Sequence, residues 1–426
     1  MTTAWGARQG LSYGLLGLPL AFVALPLYVI LPNHYAREFG VPLATLGALL
    51  LGARLLDALI DPALGRWCDT LFARSAARVL RWSALIALAL ALGFAALFFP
   101  PVRGDALIVW ALAALVVTYT AYSFISVAHQ SWGARLGGDA LMRSRIVAWR
   151  EGLALFGVLL ASVLPVVAGL GVTTGVFTGV LAAGLWAWWH APRPAGAASN
   201  AAGQSGALIT EAPTSVWLPL QRPSFVALLA VFIVNGIASA IPATLVLFFI
   251  QDLLQAPKQL EGLFLTAYFL TAALSIPLWL RCIARWGLWR VWLAGMLLAV
   301  AVFVWAATLG SGAVAAFMVV CALSGVALGA DLTVPPALLA GVIAHNGDNA
   351  RAEGAYFGWW NFATKLNLAL AAGLALPALG YFGYTPGSRE PQALEALVIA
   401  YCVLPCVLKL IAFAVLRVCA PKHQFT

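Results

Sequence analysis

Long apolar stretches recur along the whole chain, and they constrain the fold more than any other feature of the sequence. Each stretch runs about 20 residues, which is the length that a helix needs to cross roughly 30 Å of hydrocarbon. Only 9% of the 426 residues are charged and 63% are hydrophobic, whereas about 25% are charged in ordinary soluble domains. A water-facing surface cannot be built from this composition, so the sequence predicts an all-α membrane protein.

The sequence predicts twelve transmembrane helices, six on each side of a small polar segment. That segment is rich in Pro, Gly, Ala and Ser, a composition typical of a flexible linker. We therefore expect an N-terminal six-helix bundle over residues 1–190, a cytoplasmic linker over 191–222 and a C-terminal six-helix bundle over 223–426. The first apolar run is too long for a signal peptide and is predicted to be retained as a span. The spans are predicted at 11–33, 43–65, 80–100, 105–128, 146–168, 172–190, 224–249, 261–280, 290–309, 314–341, 355–380 and 394–416.

Basic residues are distributed unevenly between the two sides of the predicted membrane. With the N-terminus inside, sixteen of the 24 Lys and Arg residues fall in cytoplasmic segments and four fall on the opposite side. The positive-inside rule then places both termini in the cytoplasm, with the chain in a bacterial-type inner membrane. Because the +9 net charge follows this topology, nucleic acid is not expected as a partner.

The two halves of the chain resemble each other. Gly47–Arg66 aligns without gaps on Gly262–Arg281, and the alignment matches Pro62 with Pro277. Parallel repeats of six spans are a known way to build a carrier whose site lies between two halves.

The second predicted span carries three ionisable residues on one helix face. Arg54, Asp57 and Asp61 are spaced at i, i+3 and i+7. Each charge costs about 2.5–3.5 kcal/mol at the centre of a membrane helix, so this stripe should face water or an internal partner. Two neighbouring carboxylates beside a cation form a group that can take up and release a proton or a small cation.

The repeat weighs against a purely structural ion pair at the acidic stripe. At the corresponding positions the eighth span has Phe269, Ala272 and Ile276, so the same helix is built there without charge. We therefore interpret the stripe as functional.

Other ionisable residues also lie in predicted spans, and four of them bear on the site or its partners. Lys365, one turn after Asn361, needs a counter-charge, for which the acidic stripe is the best candidate. Asp331 precedes a double proline and could either contact substrate or cap a broken helix. Arg150 could face an internal cavity or reach the interface, and Lys409 is predicted to extend its ammonium to the interface.

Two adjacent tryptophans, Trp359 and Trp360, lie inside the eleventh predicted span rather than at its ends. One of them could stack on a substrate ring, or both could simply pack.

Several short motifs match a known family: Ser12-Tyr13-Gly14, Arg54 to Pro62, Tyr119-Thr120, Arg150 and Lys365. With these motifs the chain resembles the major facilitator superfamily, and within it the glycoside-pentoside-hexuronide:cation symporters of the melibiose permease group. The resemblance covers essentially the whole chain and implies two pseudo-symmetric six-helix bundles. It further implies that Asp57 and Asp61 bind the coupling cation, that Thr120 assists, that Lys365 joins the network and that Arg54 tunes the site.

The sequence departs from that family at three places. The sugar-binding acids of the family align here with the Leu18-Pro19 region and with Ser123. An Asn between the two cation-binding acids of the sodium-using members is Ile60, so a neutral oxygen ligand is missing. Protons are therefore favoured over Na⁺ as the coupling ion. The pattern is also similar to that of the animal lysolipid carriers, which keeps an amphipathic substrate open.

Charged residues in the predicted cytoplasmic loops could latch one conformational state. The candidates for these gating loops are Asp69, Arg66, Arg74, Arg143 and Glu353.

The sequence therefore predicts a secondary active transporter that works by alternating access. The main hypothesis is cation-coupled symport, with H⁺ as the favoured ion, of a small organic solute that is sugar- or glycoside-like by resemblance. The alternative is a proton-coupled exporter or carrier of amphipathic, lipid-like compounds.

 An enzyme is not expected, because no His-Glu-x-x-His, Gly-x-Ser-x-Gly or paired-Cys motif is present. The six Cys lack metal-type spacing, so we expect no metal and no cofactor beyond the coupling ion, H⁺ or Na⁺. The expected partners of a monomeric protein are a small-molecule substrate and the lipid bilayer.

Overall fold

The computed structural model describes residues 5–194, 215–385 and 387–422, and these ranges are helical almost throughout, without a strand. This confirms the all-α prediction. Most of the predicted linker, residues 195–214, lies outside the described residues. The helices are α1 (Ala7–Gly14), α2 (Gly17–Leu25), α3 (Leu31–Phe39), α4 (Leu43–Arg74), α5 (Ala76–Phe98), α6 (Asp105–Arg135), α7 (Ala140–Val167), α8 (Gly169–Trp189), α9 (Pro223–Phe248), α10 (Glu261–Trp286), α11 (Leu288–Ala306), α12 (Val314–His345), α13 (Glu353–Tyr381), α14 (Pro391–Val398) and α15 (Leu404–Lys422).

The first predicted span is interrupted rather than continuous. It consists of α1, α2, a π-helical turn at Pro26–Ile30 and α3, which extends it to Phe39. At the first break the Tyr13 carbonyl accepts a hydrogen bond from His129 Nε2 at 2.8 Å, and the Tyr13 hydroxyl donates to the His129 carbonyl at 3.0 Å. These reciprocal bonds provide α6 partners for main-chain and side-chain groups at the break, where water is scarce.

Several helices extend beyond the predicted spans. The helix of the second predicted span, α4, continues to Arg74, and that of the fourth, α6, continues to Arg135. As a result Arg66, Asp69 and Arg74 lie on the last turns of α4, so their placement in a loop is wrong, while their gating role stays a prediction. Glu353 is likewise the first residue of α13, and Arg143 lies in the first turn of α7.

The double proline of the tenth span does not break its helix. α12 runs from Val314 to His345 through Pro335 and Pro336. The expectation of a broken helix is therefore wrong, although each proline still withholds one main-chain donor from the helix.

Nine helical stretches within the described ranges are long and apolar enough to cross a membrane. The predicted first, second and eleventh spans correspond to α1 to α3, α4 and α13. Both helices of the aligned repeat, α4 and α10, carry an internal proline, at Pro62 and Pro277.

The chain divides into two compact units. The first comprises Met1–Gln221 together with Ile343–Phe362, and the second comprises Arg222–Val342 and Ala363–Thr426. Residues 343–362, which end α12 and begin α13, thus cluster with the first unit. The predicted bundle limits at 190 and 223 stay a prediction.

Candidate functional site

The acidic stripe of α4 is buried in the first unit. Asp57 and Asp61 are 4% and 0% exposed, and Arg54 is half-buried. The helix carries them inward because residues three or four apart share one face. The aligned positions of α10, Ala272 and Ile276, are buried too. The two helices therefore bury the same face, with acidic side chains in α4 and apolar ones in α10.

Asp57 is held by a serine from a neighbouring helix. The Ser123 hydroxyl of α6 donates to Asp57 Oδ1 at 2.7 Å, and both residues are buried. Thr120, the residue expected to assist, is half-buried one turn earlier on α6. Its assisting role stays a prediction. Ser123 was noted in the sequence only as the replacement of a family acid, although its i+3 spacing from Thr120 signals a shared helix face.

A second buried acid, Asp69, binds the start of α13. Its carboxylate accepts hydrogen bonds from the main-chain N–H groups of Gly354 at 2.7 Å and Ala355 at 2.8 Å. It also forms an ion pair with Arg135 at 2.8 Å. A carboxylate at a helix N-terminus is stabilised by the unpaired amides and by the helix dipole.

Arg135 joins this acid to Glu353. One guanidinium nitrogen lies 2.8 Å from Glu353 Oε2, and the other donates to the Ala350 carbonyl at 2.8 Å. Glu353 in turn accepts from the Ala350 N–H at 2.6 Å. We call Asp69, Arg135 and Glu353 the Asp69 cluster. No motif in the sequence pointed to Arg135, the last residue of α6, and the signal that could have found it is the Gly137-Gly138 pair that follows the helix.

Burial raises the pKa of Asp69 to about 7, against the opposing effects of the Arg135 guanidinium and the two amides. Burial also raises the pKa of Glu353, and Arg135 again opposes it. The Asp69 cluster therefore contains two acids whose protonated forms are favoured relative to free carboxyls.

Arg150 lies inside the first unit and is 8% exposed. Its guanidinium Nε donates to Glu151 Oε1 at 3.0 Å. Its main chain packs directly against Gly17, where an added Cβ would come within 2.5 Å of the Arg150 carbonyl oxygen. This burial argues against an extension to the interface, and a substrate contact stays a prediction.

The start of α13 places the two tryptophans differently. The Trp359 indole N–H donates to the Val216 carbonyl at 2.9 Å, and its ring lies 5.4 Å from that of Trp217. Trp360 is 4% exposed. The stacking of either ring on a substrate stays a prediction, and for Trp359 the visible partners belong to the segment that precedes α9.

Further along α13, Asn361 and Lys365 are half-buried. The pairing of Lys365 with the acidic stripe stays a prediction, because the two belong to different units.

Asp331 and Lys409 form an ion pair in the second unit, with 2.9 Å between Lys409 Nζ and Asp331 Oδ2. Lys409 is 5% exposed. The prediction that it extends to the interface is therefore wrong, since its ammonium finds a carboxylate inside the protein.

Comparison with known proteins decides the family. The model of the family described as MFS/sugar transport protein matches residues 12–419. The chain belongs to this family. Members of the major facilitator superfamily are transporters rather than enzymes, and they work without a bound cofactor, as the sequence predicted.

One curated relative of the chain is YagG of Escherichia coli (strain K12), which carries the name of a glycoside/cation symporter. It is 27% identical over 169 residues, which cover 38% of this chain and 36% of YagG. The chain therefore matches about a third of the length of that relative.

Solved structures of the superfamily share the fold. A bacterial homologue of the iron transporter ferroportin, in an outward-facing state, is 16% identical, with a TM-score of 0.69 over 97% of this chain and 99% of that one. The human organic anion transporter MFSD10 is 18% identical, with a TM-score of 0.63 over 96% and 99%. The Escherichia coli fucose:proton symporter FucP is 16% identical, with a TM-score of 0.63 over 94% and 98%. At these identities the likeness establishes the major facilitator fold alone.

Proposed function

We propose that this member of the MFS/sugar transport family is a cation-coupled symporter of a small organic solute, with H⁺ as the coupling ion and Asp57 and Asp61 as its carriers. The observation that carries the proposal is the buried Asp57–Ser123 hydrogen bond. A hydroxyl can donate to a carboxylate and can also accept from a protonated carboxyl. Ser123 therefore offers a partner to Asp57 in both protonation states, which a carrier of protons requires.

The chemistry of the neighbouring positions supports H⁺ over Na⁺. Na⁺ binding favours several oxygen ligands, and Ile60, between the two acids, supplies none from its side chain. A sugar- or glycoside-like substrate is supported by the family and by the name of YagG.

The coupling acts by alternating access in this proposal. A bound ion drives a conformational change only if the two states bind it with different affinity. We assign the Asp69 cluster as a latch that forms in one state and breaks in the other, because its bonds hold the first turn of α13 to the ends of α4 and α6. The cluster lies on the predicted cytoplasmic side.

The test is transport by purified protein in liposomes that contain a pH dye, with sugars, glycosides, organic acids, nucleosides and lysolipids offered without sodium. We expect one substrate class to move protons in wild type and Asp57→Asn to abolish that movement. Ser123→Ala removes one hydrogen bond to a charged group, worth roughly 1.5–3 kcal/mol, and should weaken transport at least about tenfold. Glu395→Gln, an exposed acid on α14, is the matched control and should transport normally.

Two results would contradict the proposal. Flux that requires sodium would show that the coupling ion is wrong. Proton movement that persists in both Asp57→Asn and Asp61→Asn would remove these acids from the coupling mechanism.

A proton-coupled exporter of amphipathic compounds is the second candidate. It is favoured by Ser123, which stands where the symporters of sugars have an acid and which is bonded to Asp57. Stimulation of efflux rather than uptake by an imposed pH gradient, with lysolipids as substrates, would select it.

A further inference from the structure

The Lys409 ammonium in the second unit has a full set of hydrogen-bond partners. Its nitrogen lies 2.9 Å from Asn235 Oδ1, 3.1 Å from Ser239 Oγ and 2.9 Å from Asp331 Oδ2. An ammonium has three hydrogens, so each one has an acceptor.

The Asp331 carboxylate is equally well supplied. Oδ1 accepts from Asn235 Nδ2 at 3.1 Å and from Trp292 Nε1 at 2.9 Å. Oδ2 accepts from Lys409, and the Ser239 hydroxyl lies 3.4 Å away. The polar groups of both side chains therefore have partners inside the protein, which a close pair away from water requires.

The five residues come from four helices that are distant in sequence. Asn235 and Ser239 lie on α9, Trp292 on α11, Asp331 on α12 and Lys409 on α15. All of them belong to the second unit. The network thus ties four helices together at one level.

The position of Asp331 on α12 explains why a tie is needed there. Pro335 and Pro336 lack the N–H groups that would bond to the carbonyls of residues 331 and 332 in a regular helix. α12 is continuous nevertheless, so the turn with the missing main-chain bonds is the turn that the ion pair holds from the side.

We propose that Asp331 and Lys409 are a positioning pair that splints the double-proline turn of α12 and keeps α9, α11, α12 and α15 together through the transport cycle. In this role the pair carries neither the coupling cation nor the substrate. The transport measurement below rests on the proposed function, because it requires a coupled substrate. The measurements of folded yield and melting temperature do not.

The test compares Asp331→Asn, Lys409→Met and the double variant. Removing one partner leaves the other charge without its counter-ion inside the protein, so each single change should lower the yield of folded protein at least about tenfold. The double variant should recover folded protein and transport to within about threefold of wild type, because two neutral side chains can replace a buried pair. Its pH profile of transport should match that of wild type.

A second comparison tests the splint itself. In a background that carries Pro335→Ala and Pro336→Ala, the helix regains two main-chain donors. The fall in melting temperature caused by Asp331→Asn with Lys409→Met should therefore be smaller in this background than in the wild-type background. Equal falls in the two backgrounds would contradict the splint.

A folded double variant that is inactive, or whose pH profile is shifted, would overturn the proposal, because the pair would then take part in transport. If the double variant does not fold, Trp292→Phe decides, since it removes one donor to Asp331 and leaves both charges. We expect it to fold with a lower melting temperature and an unchanged pH profile, and a shifted profile would overturn the proposal. Asp57→Asn, measured alongside, distinguishes a failure of this proposal from a failure of the proposed coupling. If Asp57→Asn still couples transport to protons, only the coupling proposal is contradicted.

Discussion

The buried acids of this protein differ in what surrounds each carboxyl group. Asp331 faces an ammonium, an amide and an indole N–H, and Asp69 faces a guanidinium and two main-chain amides. Asp57 instead faces a serine hydroxyl, which can both donate and accept. Residue identity alone does not distinguish these three aspartates, whereas their partners separate a fixed ion pair, a helix cap and a candidate carrier of protons.

The raised pKa of Asp69 makes a prediction about pH and stability. The pKa of Asp69 is about 7 in the folded protein, compared with an ordinary value of 3.8, so folding favours the protonated carboxyl. The stabilising contribution of Asp69 is therefore fully present below about pH 3.8 and is lost as the pH rises through about 7. We expect the melting temperature of Asp69→Asn in detergent to depend less on pH between 4 and 7 than that of wild type.

Melting temperatures measured at several pH values across this window check the prediction. Glu353 remains in both proteins, so its own titration contributes to both curves, and only the difference in slope is informative. Parallel curves would contradict a titration of Asp69 in this window.

At the scale of elements, α4 and the start of α13 approach each other through glycines. A Cβ added at Gly65 would lie 2.0 Å from the Gly354 carbonyl oxygen, and one added at Gly354 would lie 2.1 Å from the Gly65 carbonyl oxygen. Small residues allow membrane helices to pack backbone against backbone. This close crossing brings the α13 amides within reach of Asp69.

The crossing makes a prediction with a matched control on the same helix. Gly65→Ala should lower the melting temperature and weaken transport, because the methyl group collides with main chain that cannot rotate away. Gly52→Ala, where an added Cβ has open space, should be neutral or stabilise by up to about 1 kcal/mol from helix propensity. Thermal unfolding in detergent and liposome transport measure both. Equal effects of the two changes would show that the close crossing is unimportant.

At the scale of the whole molecule, the orientation follows from charge. Arg74, the last residue of α4, is exposed, and the connection between α5 and α6 contains Arg103, which is also exposed. These two sites lie at opposite ends of α5, so they report on opposite sides of the membrane.

We predict that both termini are cytoplasmic. In a background without the six native Cys, a membrane-impermeant maleimide should label Arg103→Cys in intact cells and label Arg74→Cys only after the membrane is permeabilised. The reverse pattern would invert the topology.

The sequence by itself determined the class of the protein and the polarity of its helices. The apolar stretches have the length of a membrane-spanning helix, and a helix satisfies its own main-chain hydrogen bonds in lipid. Asp57 and Asp61 stood out because charge in a membrane helix is costly. The sequence also placed Asp331 within a predicted span, yet it placed Lys409 at the interface.

Only the tertiary structure decided which side chains meet. The pairs Ser123–Asp57, Arg135–Asp69 and Lys409–Asp331 join residues 66, 66 and 78 positions apart. Helical periodicity fixes the face on which a residue lies within its own helix, but not the neighbour that this face contacts. That choice depends on how helices pack and how their ends are capped, which is long-range information that no local pattern carries.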